Sequence, residues 1–380
     1  SYGRQAPMFT TLVEERKLSS SVSAYNSSEE LAGTFTVRVR ANAGIDLDDV
    51  YQAIEDSFDK FEQEGIRDNA LTKIKARQET SFYGDISSVL NKAYQLGLYQ
   101  EFAGDPSYYL TDIQNIKAVT KDDVIRVYEQ YVKGQPHIMT SFVPKSQPDL
   151  VVEGSVLAPV VEEQIVAGKE KEFIEDPDAE FVKTPTIHDR SEPPLGELPV
   201  MKSPAIWQVQ TAGGMPVYGV EHHEVPLVNF SLRINGGQAL DEEGKQGTAF
   251  LLADMLNEGT ANKTPAELED AIGLLGSGIS VSVSPTGIII SGSSLARNFD
   301  QTIYLVTEML LEPRFDETDF ERIKTSRLAS IKASKGNPSA IANQVFMKLL
   351  YGEAHVAGQV LGGNEEQVNN IELEDVKAWY

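Results

Sequence analysis

Residue types that could do chemistry are sparse in this chain. It has five histidines and no cysteine. Disulfides, thiol nucleophiles, iron–sulfur clusters and Cys-type zinc sites are therefore excluded together, and any metal would fall to histidine and carboxylate. The densest group is His222-His223, flanked by Glu221 and Glu224. Adjacent residues on a strand point to opposite faces, so the two imidazoles do not readily share one ion. With Pro226 close behind, this stretch reads as an exposed hairpin with an adventitious cluster. His137, His188 and His355 are solitary, with a structural or exposed role as the default. Asp122-Asp123 and Glu242-Glu243 pair carboxylates as an acid–base couple would, but both fall at predicted helix starts, where acidic side chains favour the helix dipole. Gly273-Leu274-Leu275-Gly276-Ser277-Gly278 follows a helical pattern and precedes a strand. A phosphate cradle needs the order strand, glycines, helix, so this run is a helix stop. The serines of 19–21 and 27–28 have no placed base and give no nucleophile signal.

The elements that would position these residues fall into three zones. The first spans residues 1–145. It contains a strand at Gly33–Arg40, where Phe35, Val37 and Val39 alternate with polar residues. Helical periodicity follows through Val50, Ile54, Phe58 and Phe61, and again from Leu71 to Ala93. Thr120 caps a further helix, and a last strand is expected over Ile138–Val143. The second zone, residues 146–203, holds seven of the eighteen prolines and lacks a sustained period. Between Asp149 and Pro199, thirteen acids stand against four bases, which describes an acidic, proline-stiffened interdomain linker. The third zone, residues 204–380, resumes globular patterning. Its expected strands are Ile206–Gln210, Val217–Glu221, Leu227–Asn235, Gly278–Ser284 and Gly287–Ser293. Its expected helices are Gly247–Asn257, one opening at Thr264-Pro265, Phe299–Leu311, Asp316–Ala333, Pro338–Leu350 and one from Glu372. The two globular zones echo each other over about 250 residues, as a duplicated α+β unit would.

Composition bounds the partners. Thirty-three Lys and Arg against fifty-seven Asp and Glu leave a net charge of −24. Such a chain repels nucleic-acid backbones and anionic lipid surfaces, and no basic face offsets this. No window approaches the ~18 to 20 apolar residues needed to cross a bilayer, so membrane insertion is not expected. The first residues lack an initiator Met and the last read as a helix still in progress, so a piece of a longer protein is expected.

Several stretches, taken in order, resemble the pitrilysin/insulinase family of zinc metallopeptidases, the inverzincins. In the first zone these are Leu12-Val13-Glu14-Glu15, Ser23-Ala24-Tyr25, Gly33-Thr34-Phe35 and Ala118 to Val124. In the third they are Pro216 to Val220, Gly236-Gly237, Gly247-Thr248-Ala249, Met255 to Thr260 and Pro313-Arg314-Phe315. The resemblance implies mainly antiparallel sheets packed by long helices. It makes residues 1–145 the second domain of an N-terminal half and residues 204–380 the first domain of a C-terminal half. The family's chemistry needs H-x-x-E-H on a helix, with a further glutamate about 75 residues on. Those places are held here by Phe250, Ala253 and Asp254, and by Ser330. The family's substrate-gripping Arg and Tyr correspond to Val13 and Ser20. No catalytic, cofactor-binding or metal-binding residue is therefore expected among these 380, and the resemblance puts zinc in a missing first domain. It implies a chain that contributes chamber wall and hinge to a clamshell peptidase. The partners would be a peptide or unfolded polypeptide and the missing first and fourth domains, with a periplasmic or envelope location. A wholly inactive homologue, kept as a binding or assembly subunit, is the alternative.

Overall fold

The computed structural model describes residues 3–159, 185–187, 189, 191, 194, 196, 200 and 203–380. His188 and most of the expected linker lie outside the described residues. The described chain divides into two compact units, Ser1–Glu153 with His223–Tyr380, and Gly154–His222.

In the larger unit the chain opens with a turn of helix and a six-residue π-helical segment, Thr10–Glu15, that buries Leu12 completely. Strands β1 (Ser19–Ser28) and β2 (Gly33–Ala41) then form an antiparallel pair with Val22 opposite Val39 and Ala24 opposite Val37. Helix α1 (Leu47–Glu64) lays Val50 and Ala53 against this hairpin, and Met8, Leu12 and Leu18 complete a small core. The period-two expectation holds for Val37 and Val39. Phe35 lies near the turn of the hairpin, opposite Asn26, and stays 46% exposed. Helices α2 (Asp68–Ser87), α3 (Val89–Ala103), α4 (Tyr109–Ala118) and α5 (Lys121–Tyr131) follow, the last opened by a Thr120/Asp123 capping box. The strand expected at Ile138–Val143 does not form. No described strand lies beside it to complete a ladder, and Ile138 and Phe142 are almost wholly exposed.

Among the described residues the smaller unit contains a hairpin, β3 (Ile206–Gln210) with β4 (Pro216–Val220), turned through Gly214 in a left-handed conformation. The main sheet belongs to the larger unit and has the order β5 (Leu227–Asn235), β7 (Gly287–Leu295), β6 (Gly278–Ser284), all antiparallel. Around it stand α6 (Thr248–Met255), α7 (Pro265–Leu274), α8 (Phe299–Leu311), α9 (Glu317–Ser334), α10 (Pro338–Tyr351) and α11 (Leu373–Trp379). The principal core joins Leu251, Leu252 and Met255 of α6, Ile288 of β7, Phe320 and Ile323 of α9, and Val368, Ile371 and Val376 near the end of the chain. Burying side chains of this size stabilises by about 1.5–3 kcal/mol each. The architecture is α+β.

Within the larger unit, α2 and the first residues lie on α7 through polar contacts. Asp270 accepts from Gln5 (2.8 Å) and Asn69 (2.9 Å) and pairs with Lys73. Glu79 is held by both guanidinium nitrogens of Arg297 at 3.1 and 2.8 Å.

Candidate functional site

The third zone's candidate positions meet at α6 and α9. Helix α6 is fixed at its start by Asp241, whose carboxylate accepts from the amides of Gly247 (2.7 Å) and Ala249 (3.0 Å). Gly247 has φ of +113°, and a Cβ there would lie 2.8 Å from the carbonyl oxygen of Gly362, so glycine is required. The closeness brings the 361–363 loop over the helix. Buried Gln238 clamps that loop, accepting from the amide of Gly362 (2.7 Å) and donating to the carbonyl of Val360 (3.0 Å).

The loop in turn anchors Arg327 of α9. Its Nε donates to the Gly362 carbonyl (3.1 Å) and its Nη2 to that of Leu361 (2.7 Å), while its guanidinium lies 4.2 Å from the centre of the Phe250 ring. Such stacking favours the cation electrostatically. Phe250, Asp254, Asn257, Glu258, Arg322, Ser326, Arg327 and Ser330 line a pocket of about 320 Å³. Phe250, Asp254 and Ser330, three of the four positions expected to be degenerate, are therefore brought together. Ala253 turns into the core and is 3% exposed.

The two carboxylates of this pocket live in different surroundings. Glu258 is buried and gripped from two sides, by Arg4 Nη2 at 2.7 Å and Arg322 Nη2 at 2.6 Å. Arg4 comes from the first zone, and its backbone amide also bonds Glu269 (3.2 Å). The Asp254 carboxylate makes no hydrogen bond or ion pair with any described residue, while its backbone carbonyl accepts from Asn257 (3.0 Å). Burial pushes its carboxyl up to about 6, against the opposing pull of Arg327. Burial likewise lowers the Arg327 guanidinium from its ordinary value, and Asp254 is the one charge that counters this.

Zinc does not fit this set. A phenyl ring and a methyl group offer no lone pair, one carboxyl and a serine hydroxyl make an incomplete shell, and two guanidinium groups line the same space. Among the described residues no group of three or more His, Asp or Glu is arranged to hold a metal ion. His222 and His223 lie beyond the end of β4, in the connection to β5, with exposed side chains. His137 and His355 are exposed as well, and each lies near a tyrosine ring, Tyr51 and Tyr351 respectively. Gly273–Gly278 ends α7 as expected, with Gly276 at φ of +62°. Val13 is half-buried in the π-helical segment, whereas Ser20 is exposed on β1. The sequence reading did not single out Glu258, Arg322 or Arg4. The one available signal was the spacing of Arg322, Ser326, Arg327 and Ser330, which shares one helical face.

Helices α6 and α9 thus meet, within an α+β architecture, at a pocket lined by Phe250, Asp254 and Ser330. Residues 218–363 match the insulinase family (peptidase family M16), and residues 1–78 match the peptidase M16 inactive domain. Together the two stretches cover more than half of the chain, which belongs to the pitrilysin/insulinase family. A curated relative, the "Non-peptidase homolog YmxG" of Helicobacter pylori, is 26% identical over 166 residues, which is 44% of this chain and 38% of that protein. The chain thus matches well under two thirds of that relative's length. Among solved structures, a peptidase M16 inactive domain from Pseudomonas fluorescens is 28% identical, with 46% of this chain and 42% of that one covered and a TM-score of 0.44. Pitrilysin is 19% identical, with 47% and 19% covered and a TM-score of 0.41.

Proposed function

We propose that this chain is a non-catalytic portion of an M16 protein, contributing wall and hinge to a chamber that encloses peptides or unfolded polypeptide. The observation that carries the reading is the pocket between α6 and α9. There the residues that the family resemblance sets at the metal-binding and general-base positions are Phe250, Ala253, Asp254 and Ser330, and Arg327 is stacked on Phe250. A side chain anchored by two backbone carbonyls does not make way for a zinc ion. The acidic net charge favours basic or extended peptides by long-range attraction. Zinc, on this reading, belongs to a domain outside these residues, in a protein of the periplasm or cell envelope. Purified residues 1–380 are expected to cleave no flexible fluorogenic peptide with or without added zinc. Turnover abolished by a chelator would refute the proposal.

A second reading has its own support. The Helicobacter pylori relative is described as a non-peptidase homologue, so the whole protein would be a binding or assembly subunit with no zinc in any domain. Elemental analysis of the full-length gene product after dialysis separates the two. One zinc per chain supports the peptidase assembly, and none supports the non-peptidase subunit.

A further inference from the structure

We infer that the pocket between α6 and α9 is a binding site for a free α-amino acid, held as its zwitterion between Asp254 and the arginines Arg322 and Arg327. The inference does not depend on peptide enclosure. It begins with two opposite charges that face one another without meeting. Arg327 is kept from Asp254 by three anchors, the carbonyls of Leu361 and Gly362 and the face of Phe250. Asp254 is kept from Arg327 because it projects from a helix whose other face is packed in the principal core. Each influences the other's ionisation, yet no hydrogen bond or ion pair joins them among the described residues.

The gap has the size of a small-ligand site. At about 320 Å³ it exceeds the ~30 Å³ share of one water roughly tenfold and lies at the lower end of the ~300–1,000 Å³ range of small-molecule pockets. Its charges select the ligand. A simple anion would meet Asp254 and Glu258, and a simple cation would meet Arg322 and Arg327. A molecule carrying both signs a few ångströms apart satisfies the set. Its ammonium group donates to Asp254, and its carboxylate accepts from Arg327 and from the part of Arg322 not engaged by Glu258 and Asp319. The hydroxyls of Ser326 and Ser330 and the amide of Asn257 line the same space and can take the remaining hydrogen bonds, and the Phe250 ring and Ile323 supply apolar wall for a side chain. Glu258 is already gripped by Arg4 and Arg322, which leaves Asp254 as the acceptor for the ammonium.

The test is calorimetric titration of residues 1–380 with glycine, L-leucine, L-glutamine and L-glutamate, each beside its N-acetyl and C-amide forms. At least one free amino acid should give saturable binding, weakened about tenfold or more by either cap. Asp254→Asn, which keeps shape and removes charge, should weaken it by a similar factor. Ser330→Glu, at an exposed helical position, should weaken it by placing a second carboxylate opposite the ligand's own. Thermal melts confirm that both variants are folded. Absence of binding by all four free amino acids would overturn the inference, as would equal binding of the capped forms or unchanged affinity in Asp254→Asn. None of these results bears on the peptidase assay or the zinc analysis.

Discussion

Asp254, in the last turn of α6, and Glu258, three residues past the end of that helix, line one pocket, yet they do opposite things. Glu258 is buried between two guanidinium groups, one of them from Arg4, more than 250 residues away in sequence. It ties the first zone to the third. Asp254 has no such grip, and burial drives its carboxyl toward the neutral form. The difference shows that charge type does not decide what a buried carboxylate contributes. What decides is whether its desolvation is offset by a partner in hydrogen-bonding range. The paired residue is structural, whereas the unpaired one keeps its capacity for a ligand.

Breaking the paired member should have the largest effect. Glu258→Ala leaves Arg4 and Arg322 without their shared partner. Because both guanidinium groups reach solvent (28% and 49% exposed), a loss of about 1.5–3 kcal/mol of stability is expected, the scale of hydrogen bonds to charged groups. Chemical denaturation at pH 7 measures it, and a loss below 1 kcal/mol would show that the clamp is decorative.

Changing the unpaired member should act in the other direction. Asp254 has a folded-state value of about 6 against an ordinary 3.8. Between those values the folded chain binds more protons than the unfolded one, so this residue's contribution falls as pH rises from about 4 to about 6. Asp254→Asn should therefore raise stability at pH 7 by up to about 3 kcal/mol, with the gain vanishing below pH 4. Melting curves across pH check the sign. Equal destabilisation at every pH would mean that the carboxylate has a partner after all.

A smaller change sharpens the comparison by supplying a scale for an exposed polar contact. Thr264 caps α7 by accepting from the amide of Glu267, which closes the reciprocal capping box. Thr264→Ala should cost about 1 kcal/mol without pH dependence near neutrality. A thermal melt reads it, and a cost matching that of Glu258→Ala would erase the distinction between clamp and cap.

Much of the local structure was legible in the sequence. Strands Leu227–Asn235 and Gly278–Ser284 and the helix Phe299–Leu311 have their expected limits, because alternation and helical spacing record which face is buried. Ile206–Gln210 also has its expected limits, though all five of its residues are exposed. The caps at Thr120 and Thr264 were equally plain, since a capping box is contained within four residues. The candidate site was legible only as an absence. Phe250, Ala253, Asp254 and Ser330 were expected where the family places its ligands, but nothing local to them announced Arg327 stacked on Phe250 or Arg4 reaching Glu258. Burial was also less legible than helix type. α10 forms where expected, yet Leu349 is 80% exposed and none of its residues is buried.

The sequence by itself determined the α+β class, most elements of the third zone and the acidic balance. These depend on residue type and on spacings of a few positions, which short-range sterics and burial periodicity impose directly. Only the tertiary structure decided that one carboxylate is clamped and its neighbour left open, and that Ala253 faces the core while Asp254 faces a pocket. Those outcomes depend on chain segments brought together from hundreds of residues apart, and the free energy of a buried charge is set by which groups arrive beside it.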